Sequence, residues 1–553
     1  MKANKFFLGL ALIGAILTGC EKDPENNGGD VNAYVSVQLS MASSAGSRAA
    51  ADGGFDNGSD NEQKIFPGKS IFLFYDAAGN WITSGELQSS TISATGACNV
   101  NELASGAYIV LSGPNQSFSN VAQVLTVVNY SNINSLKQLT LAQALEQVAI
   151  DATGEDLADA NANVAADING FLMTTSVYYD NDDNLVNTTA ITGDNIKTTK
   201  AAAEGAPVEI HIERAAAKAE LTLVKNEILT LDKDKAGIVV DGELKGVTLT
   251  IDGWTLNNVH PTTYLVKRLQ SDWLDATKQP FANWNVVQFR RSYWAEGHNW
   301  LATDNTGNYI YTYNQADAAN EAVAGDYAYC YENTVKVHNI DTANTGTPKP
   351  NVNTVLIAAH FVLEGETIAE DLFRYNGIFY TKDNYVNLIL KQIKDEGYKK
   401  EVATDMYSDL EASDLTIGTN GTLDGITFTL TNTTTTKYFK YTAPDTYTPV
   451  ANPVTEIQDW VNGLAYVTAV KGYKDGKCYY QIPVEHLGTT FAQYGMVRNH
   501  SYKIEVKAIN RIGEAVYNPE IQIPTIPAQT TENYLAAEIH ILDWHVVTQD
   551  VEL

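Results

Sequence analysis

Two short stretches near the start of this 553-residue chain carry residues whose types and spacing point to covalent chemistry. The first is Leu17-Thr18-Gly19-Cys20. It follows an apolar run from Phe6 to Leu17, with Lys2 and Lys5 ahead of it. That is the layout of a secretory signal peptide, and the apolar run is too short to span a bilayer. A small residue directly before a cysteine is what lipoprotein processing requires: the thiol takes a lipid and Cys20 becomes the new N-terminus. The second stretch is Ala45-Gly46-Ser47-Arg48-Ala49-Ala50-Ala51-Asp52-Gly53-Gly54, in which Arg48 is the only arginine before Arg214. Small residues with no apolar stripe around a lone arginine make Arg48–Ala49 an open bond for an arginine-specific protease. Between the two lie a polar tether, residues 21–30, and an alternating segment in which Val31, Ala33, Val35, Val37, Leu39 and Met41 are apolar. The order is anchor, strand, cut site, body, as expected of a precursor that loses its first strand.

The rest of the chain offers little catalytic chemistry. No HExxH, GxSxG, P-loop or paired CxxC occurs. The nine histidines are scattered, and His540 and His545 do not share a face of either a helix or a strand. Asp180-Asn181-Asp182-Asp183-Asn184 lacks the later glutamate of a calcium loop and reads as a solvated hairpin turn. Cys98, Cys330 and Cys478 are an odd number with no ligand spacing, so they read as isolated or buried thiols. Trp284, Tyr293, Trp294 and Trp300 lie close to Arg290 and Arg291; this is a conceivable sugar platform, but core packing is the preferred reading. Asp341-Thr342-Ala343 matches a short O-glycosylation acceptor. The chain is therefore expected to be no enzyme and to need neither a cofactor nor a metal. Its net charge of −29 argues against nucleic acid and fits an extracellular surface.

These residues need elements to hold them. Hydrophobic residues make up 44% of the chain, enough for a packed protein of two or more domains. Strands are expected at 31–41, 71–75, 81–82, 107–112, 124–129, 171–179, 208–214, 244–251, 354–363, 466–470, 478–484 and 500–509, and a helix over 135–150. Short strands with turn signals favour antiparallel β-sandwiches. The last segment, 537–553, is strand-forming with a phase shift near Leu542-Asp543 that a bulge or bend would produce. The organisation expected is a signal peptide at 1–20, a propeptide with a detachable strand at 21–48, an N-terminal sandwich at 49–225, a C-terminal sandwich at 226–513, and a connector with a terminal strand at 514–553.

Four segments carry a resemblance. They are the leader, the junction Ile212-Glu213-Arg214-Ala215-Ala216-Ala217-Lys218, the run Tyr494-Gly495-Met496-Val497-Arg498-Asn499-His500-Ser501-Tyr502, and the tail from Trp544 to Leu553. Together they resemble the Bacteroidales fimbrial subunits of the Mfa-like and FimA-like superfamily, nearest the Mfa-type shaft subunit. The tether at 21–30 is similar to those of surface lipoproteins from the same bacteria. The resemblance implies a mainly β fold of two transthyretin-like sandwich domains with a few short helices and a C-terminal strand extension. It implies lipidation at Cys20, outer-membrane attachment of the precursor, cleavage between Arg48 and Ala49, and a role in adhesion or biofilm formation once in the extracellular fimbrium. It also implies head-to-tail assembly with itself and other fimbrial subunits: the leader strand is lost and a donor strand carrying Ile539, Ile541, Trp544, Val546, Val551 and Leu553 fills its place. The long Pro/Asp/Asn-rich linker of the nearest relative is missing before this tail. The competing readings are a monomeric glycan-binding surface lipoprotein and a tip or accessory subunit.

Overall fold

A computed structural model describes residues 30–40, 61–88, 98–99, 107–114, 118–150, 170–179, 184–223, 229–231, 237–269, 295–301, 305–319, 327–334, 353–486, 494–525, 535–542 and 548–550. The architecture is mainly β. The first half is built from β1 (Asp30–Ser40), β2 (Ile71–Tyr75), β3 (Trp81–Gln88), β4 (Ala107–Pro114), β5 (Gln123–Val128), β6 (Met173–Thr175) and β7 (Val208–Arg214). They pair in the order β5-β2-β3-β4-β1-β7-β6, and β6 pairs with β5 as well, so the ladder closes on itself. β2 is apolar throughout and buried on both faces. Phe72 and Phe74 point into a core with Val35, Val37, Leu39, Ile109, Leu111, Ile210 and Ile212. Ile71, Leu73 and Tyr75 pack outward against Leu136, Ala144, Leu265 and Val266. Asp76 ends β2 by accepting hydrogen bonds from the amides of Ala78 and Asn80 at 2.9 and 2.8 Å, and Gly79 supplies the positive φ (80°) of the turn into β3.

The second half contains β8 (Ala216–Leu223), β9 (Val247–Asn257), β10 (Tyr327–Tyr331), β11 (Thr354–Leu363), β12 (Lys477–Pro483), β13 (Ser501–Ile509), β14 (Leu535–Leu542) and β15 (Thr548–Asp550). One sheet runs β10-β8-β13-β14-β15; the other has β9-β11-β12 at its centre. Ala217, Ala219, Leu221, Tyr502 and Ile504 of the first meet Trp254, Leu256, Ile357 and Tyr480 of the second in one core. The outer face of β11 is covered by Tyr313 and Ala316 from the short helix Tyr313–Asp317 and by Val516 and Ile523 from the stretch after β13. Cys330 and Cys478 are buried free thiols.

Several expectations are corrected. The sheets are not wholly antiparallel: β1 runs parallel to β7, and β8 parallel to β13. Residues 135–150 hold a 3-10 turn Ile133–Leu136, a helix of only Leu141–Leu145 and a strand Val148–Ile150. Gln138 at φ 68° interrupts the helix, and Thr140 with Gln143 caps a new start. The 171–179 strand is broken into β6 and Tyr178–Tyr179, and the latter pairs antiparallel with Leu185–Val186. Residues 466–470 are not a strand, because Ala465–Thr468 is a helical turn that buries Val467. That turn belongs to a unit inserted between β11 and β12. The unit has its own core under the helix Lys382–Asp395, whose Tyr385, Val386, Ile389 and Ile393 recur at helical spacing. Among the described residues no helix is long and apolar enough to cross a membrane.

Candidate functional site

β1 is an internal strand. Val31 to Val37 pair antiparallel with Gly113 to Ala107 of β4, and Val37 to Ser40 pair parallel with Val208 to His211 of β7. Tyr34 and Val35 also pair with Lys197 and Ile196. Alternation sends Ala33, Val35, Val37 and Leu39 into the core, each at most 5% exposed. Both backbone edges and one whole face of the strand are therefore engaged. Met41, Cys20, Arg48 and Ala49 lie outside the described residues, as does the side chain of Val31.

The tail pairs within a sheet of the second half. β14 pairs antiparallel with β13, Ile541 opposite Tyr502 and Ile539 opposite Ile504. β15 then pairs antiparallel with β14, Gln549 opposite Ile539, so the chain reverses between them. Asp543, where the phase shift is expected, lies outside the described residues. Trp544, Val546, Val551 and Leu553 lie outside the described residues. Before the tail, the connector is docked: Ile523 donates to the Tyr311 carbonyl at 2.9 Å, and the Gln481 side chain donates to the Pro524 carbonyl at 2.8 Å.

Two segments singled out in the sequence meet where the sheets of the two halves join. β7 passes through Ala215 directly into β8, so the sheets change over ahead of residue 225. The Lys218 amide donates to the His500 carbonyl at 2.9 Å, and the Asn499 amide to the Ala216 carbonyl at 2.7 Å. Around this crossing the charged residues of both segments are buried. Arg498, with no exposed side-chain surface, pairs with Glu332 at 3.2 Å. Its remaining N–H groups donate to Thr263 Oγ1 and to the carbonyls of Tyr264 and Leu265, at 2.8, 2.8 and 3.3 Å. Lys267 pairs with Glu213 at 3.4 Å, also fully buried. Burial pulls the Lys267 ammonium down, and Glu213 and Glu332 oppose that shift. Glu62 accepts from Tyr329 and pairs with Lys218, each at 3.0 Å, while its carbonyl accepts from Arg214 Nε at 3.0 Å. The sequence motifs are thus halves of one buried polar joint. Glu62, Lys267 and Glu332 carry no signal in the sequence: none belongs to a motif or a periodic pattern, and only the fold supplies its partner.

Of the aromatic cluster proposed at 284–300, only Trp300 is described; it is buried in the second core. Asp341-Thr342-Ala343 lies outside the described residues. Among the described residues no group of three or more His, Cys, Asp or Glu could hold a metal ion.

Residues 471–550 match the family described as major fimbrial subunit protein type IV, Fimbrillin, C-terminal. The match runs from just ahead of β12 through β15 and takes in the 494–502 motif, so the resemblance read from the sequence is borne out there. Solved structures similar to the chain include a fimbrilin (FimA) from Porphyromonas gingivalis W83, at 11% identity over 94% of this chain and 98% of that one, with a TM-score of 0.35. A cell adhesion protein from Parabacteroides distasonis ATCC 8503 is similar at 10% identity over 95% and 97%, with a TM-score of 0.33. The tip fimbrial protein Mfa3 from Porphyromonas gingivalis is similar at 11% over 94% and 99%, with a TM-score of 0.30. No curated protein matches the chain.

Proposed function

We propose that this chain is a structural subunit of a fimbrium, exported as a lipoprotein through Cys20 and held at the outer membrane until a protease cuts between Arg48 and Ala49. Loss of β1 then opens a groove, and the tail of another subunit fills it to extend an extracellular filament. The observation that carries the reading is the place of β1 inside a closed ladder. Taking out an edge strand would leave a sheet much as it was. Taking out β1 bares the edges of β4 and β7 together and empties the sites of Val35, Val37 and Leu39. Burying three such side chains stabilises by about 5–9 kcal/mol as an upper figure. A vacant groove of that kind recruits an added strand, with backbone bonds for affinity and pockets for register. A head-to-tail contact of this kind generates filaments rather than closed dimers.

The register follows from side-chain size. Leu535, Ala537, Ile539 and Ile541 repeat the order of Val31, Ala33, Val35 and Val37: large, small, large, large at alternate residues. Insertion in the direction of the leader puts Ala537 in the site of Ala33, opposite Leu111 of the acceptor. The reverse direction would force Ile539 into that site. One extra residue at Leu542-Asp543 would then bring Trp544 to the site of Leu39, with Val546 two residues further on. In the free subunit the same tail is folded back on β13, so exchange requires β14 to leave its own sheet.

The test is a limited trypsin digest of the soluble protein from Glu21 to Leu553, followed by N-terminal sequencing and an unheated denaturing gel. A start at Ala49 with a ladder of multimers supports the reading, and an intact Arg48–Ala49 bond overturns the trigger. For the register, Ala537→Cys and Leu111→Cys placed on separate subunits are expected to cross-link on oxidation, since directly paired Cα atoms lie within disulfide reach. Cross-links only from Ala536→Cys or Glu538→Cys would refute that alignment.

A further inference from the structure

The inserted unit between β11 and β12 carries a four-stranded sheet, Met406–Ser408, Tyr398–Ala403, Tyr438–Thr442 and Thr446–Pro449. One face packs inward through Tyr398 and Tyr438. Pairing places Glu401 opposite Tyr407, Lys399 opposite Phe439, and Tyr441 opposite Tyr447, and these residues share the other face. There Phe439, Tyr407, Tyr447 and Tyr441 form a connected row of half-exposed rings. Tyr407 and Tyr447 are stacked with centroids 4.0 Å apart; Phe439 lies 4.7 Å from Tyr407, and Tyr441 lies 5.2 Å from Tyr447.

We propose that this aromatic face binds a neutral oligosaccharide. Charge and polarity select the ligand. The basic groups on and around the sheet are already neutralised: Lys399 by Asp409, Lys437 by Glu401 at 3.1 Å, and Lys440 by Glu396 at 2.7 Å. An anionic ligand therefore finds no unpaired cation, and the chain's charge of −29 repels it. Among the described residues none hydrogen-bonds the hydroxyls of Tyr407, Tyr441 or Tyr447. A dry apolar protein partner would strip water from all three without return. A pyranose has an apolar C–H face to lie on a ring and a hydroxyl edge to bond a phenol, so it satisfies both halves of each tyrosine. An open row of four rings matches a stretch of sugar chain rather than a single enclosed residue. This proposal stands apart from the assembly reading, and its failure would leave that reading untouched.

The experiment is affinity electrophoresis of the full chain from Glu21 to Leu553 in native gels containing dextran, galactomannan, arabinoxylan, mixed-linkage β-glucan or heparin. Slowed migration is expected in at least one neutral polysaccharide and not in heparin. The double variant Tyr407→Ala/Tyr447→Ala is expected to weaken the interaction about tenfold or more, whereas Tyr447→Phe, which keeps the ring, is expected to lose less. Should the double variant fail to fold, Tyr441→Ala alone is expected to weaken retention measurably. Normal migration in all four neutral gels overturns the proposal, as does retention unchanged in a folded variant. Slowing by heparin alone, or a loss of self-association rather than of sugar retention, assigns the face to a different partner and equally overturns it.

Discussion

Arg498 is the most fully engaged side chain of the joint between the two halves. Every polar contact it makes is inside the protein, and Glu332 beside it has no exposed side-chain surface. Replacing it with methionine keeps much of the volume but leaves a buried carboxylate without its partner. Arg498→Met is therefore expected to destabilise by about 3–5 kcal/mol, measured as a lower urea midpoint. His360 gives a milder, pH-dependent effect. Its Nδ1 lies 2.6 Å from Asp252 Oδ1, and that hydrogen bond holds its pKa above the ordinary 6.5. Asp317 also favours the charged ring, while Lys477 opposes it. Because the folded value is raised, the pair's contribution is complete below pH 6.5 and is lost as pH climbs through the raised value. Half-exposure screens the effect. Wild type is expected to lose thermal stability from pH 6 to pH 8 by more than His360→Gln does, read as the difference in melting temperature between the two buffers.

At the level of elements, the assembly proposal makes β1 a removable part. If the groove it leaves is the growth site, a synthetic peptide of residues 31–41 added to cleaved subunits is expected to suppress multimers on an unheated gel. The same peptide with Val35→Asp and Val37→Asp is expected to have no effect, because a carboxylate cannot enter the emptied sites without heavy cost. β1 was legible in the sequence because its alternation is strict and one face is buried; β2 because a short apolar run ended at Asp76 and Gly79. The failures have physical causes too. Tyr466, Val467 and Val470 are apolar at intervals that suit a helical turn as well as a strand, and only the packing of Val467 under the inserted helix decides. Leu136, Leu139 and Leu145 carry helical spacing, yet Gln138 adopts a positive φ that pattern alone does not announce. The tyrosine face was invisible because its four rings come from three strands and become neighbours only through pairing. The junction motifs were legible as a signature, but not as a joint, since their partners Glu62, Lys267 and Glu332 are far apart along the chain.

For the whole molecule, the proposed donor and acceptor lie in different sandwiches, so one end can be disabled while the other is kept. A subunit lacking residues 535–553, once cleaved, keeps its groove but has no strand to give. Alone it is expected to remain monomeric in sedimentation. Mixed in small amounts with intact subunits, it is expected to accept one tail and stop growth there, shortening the multimer ladder in proportion to the amount added. Polymers of unchanged length would place the donor elsewhere. The passage of β7 through Ala215 into β8 also has a mechanical consequence. A pull applied between the two halves travels down one nearly continuous ribbon, residues 208–223, and each half of that ribbon lies parallel to a neighbouring strand. Tension along it loads those ladders in shear, with their hydrogen bonds strained together instead of peeled one at a time. In the proposed filament the strand beside β7 belongs to the next subunit, so the same pull would load the link between subunits in shear as well.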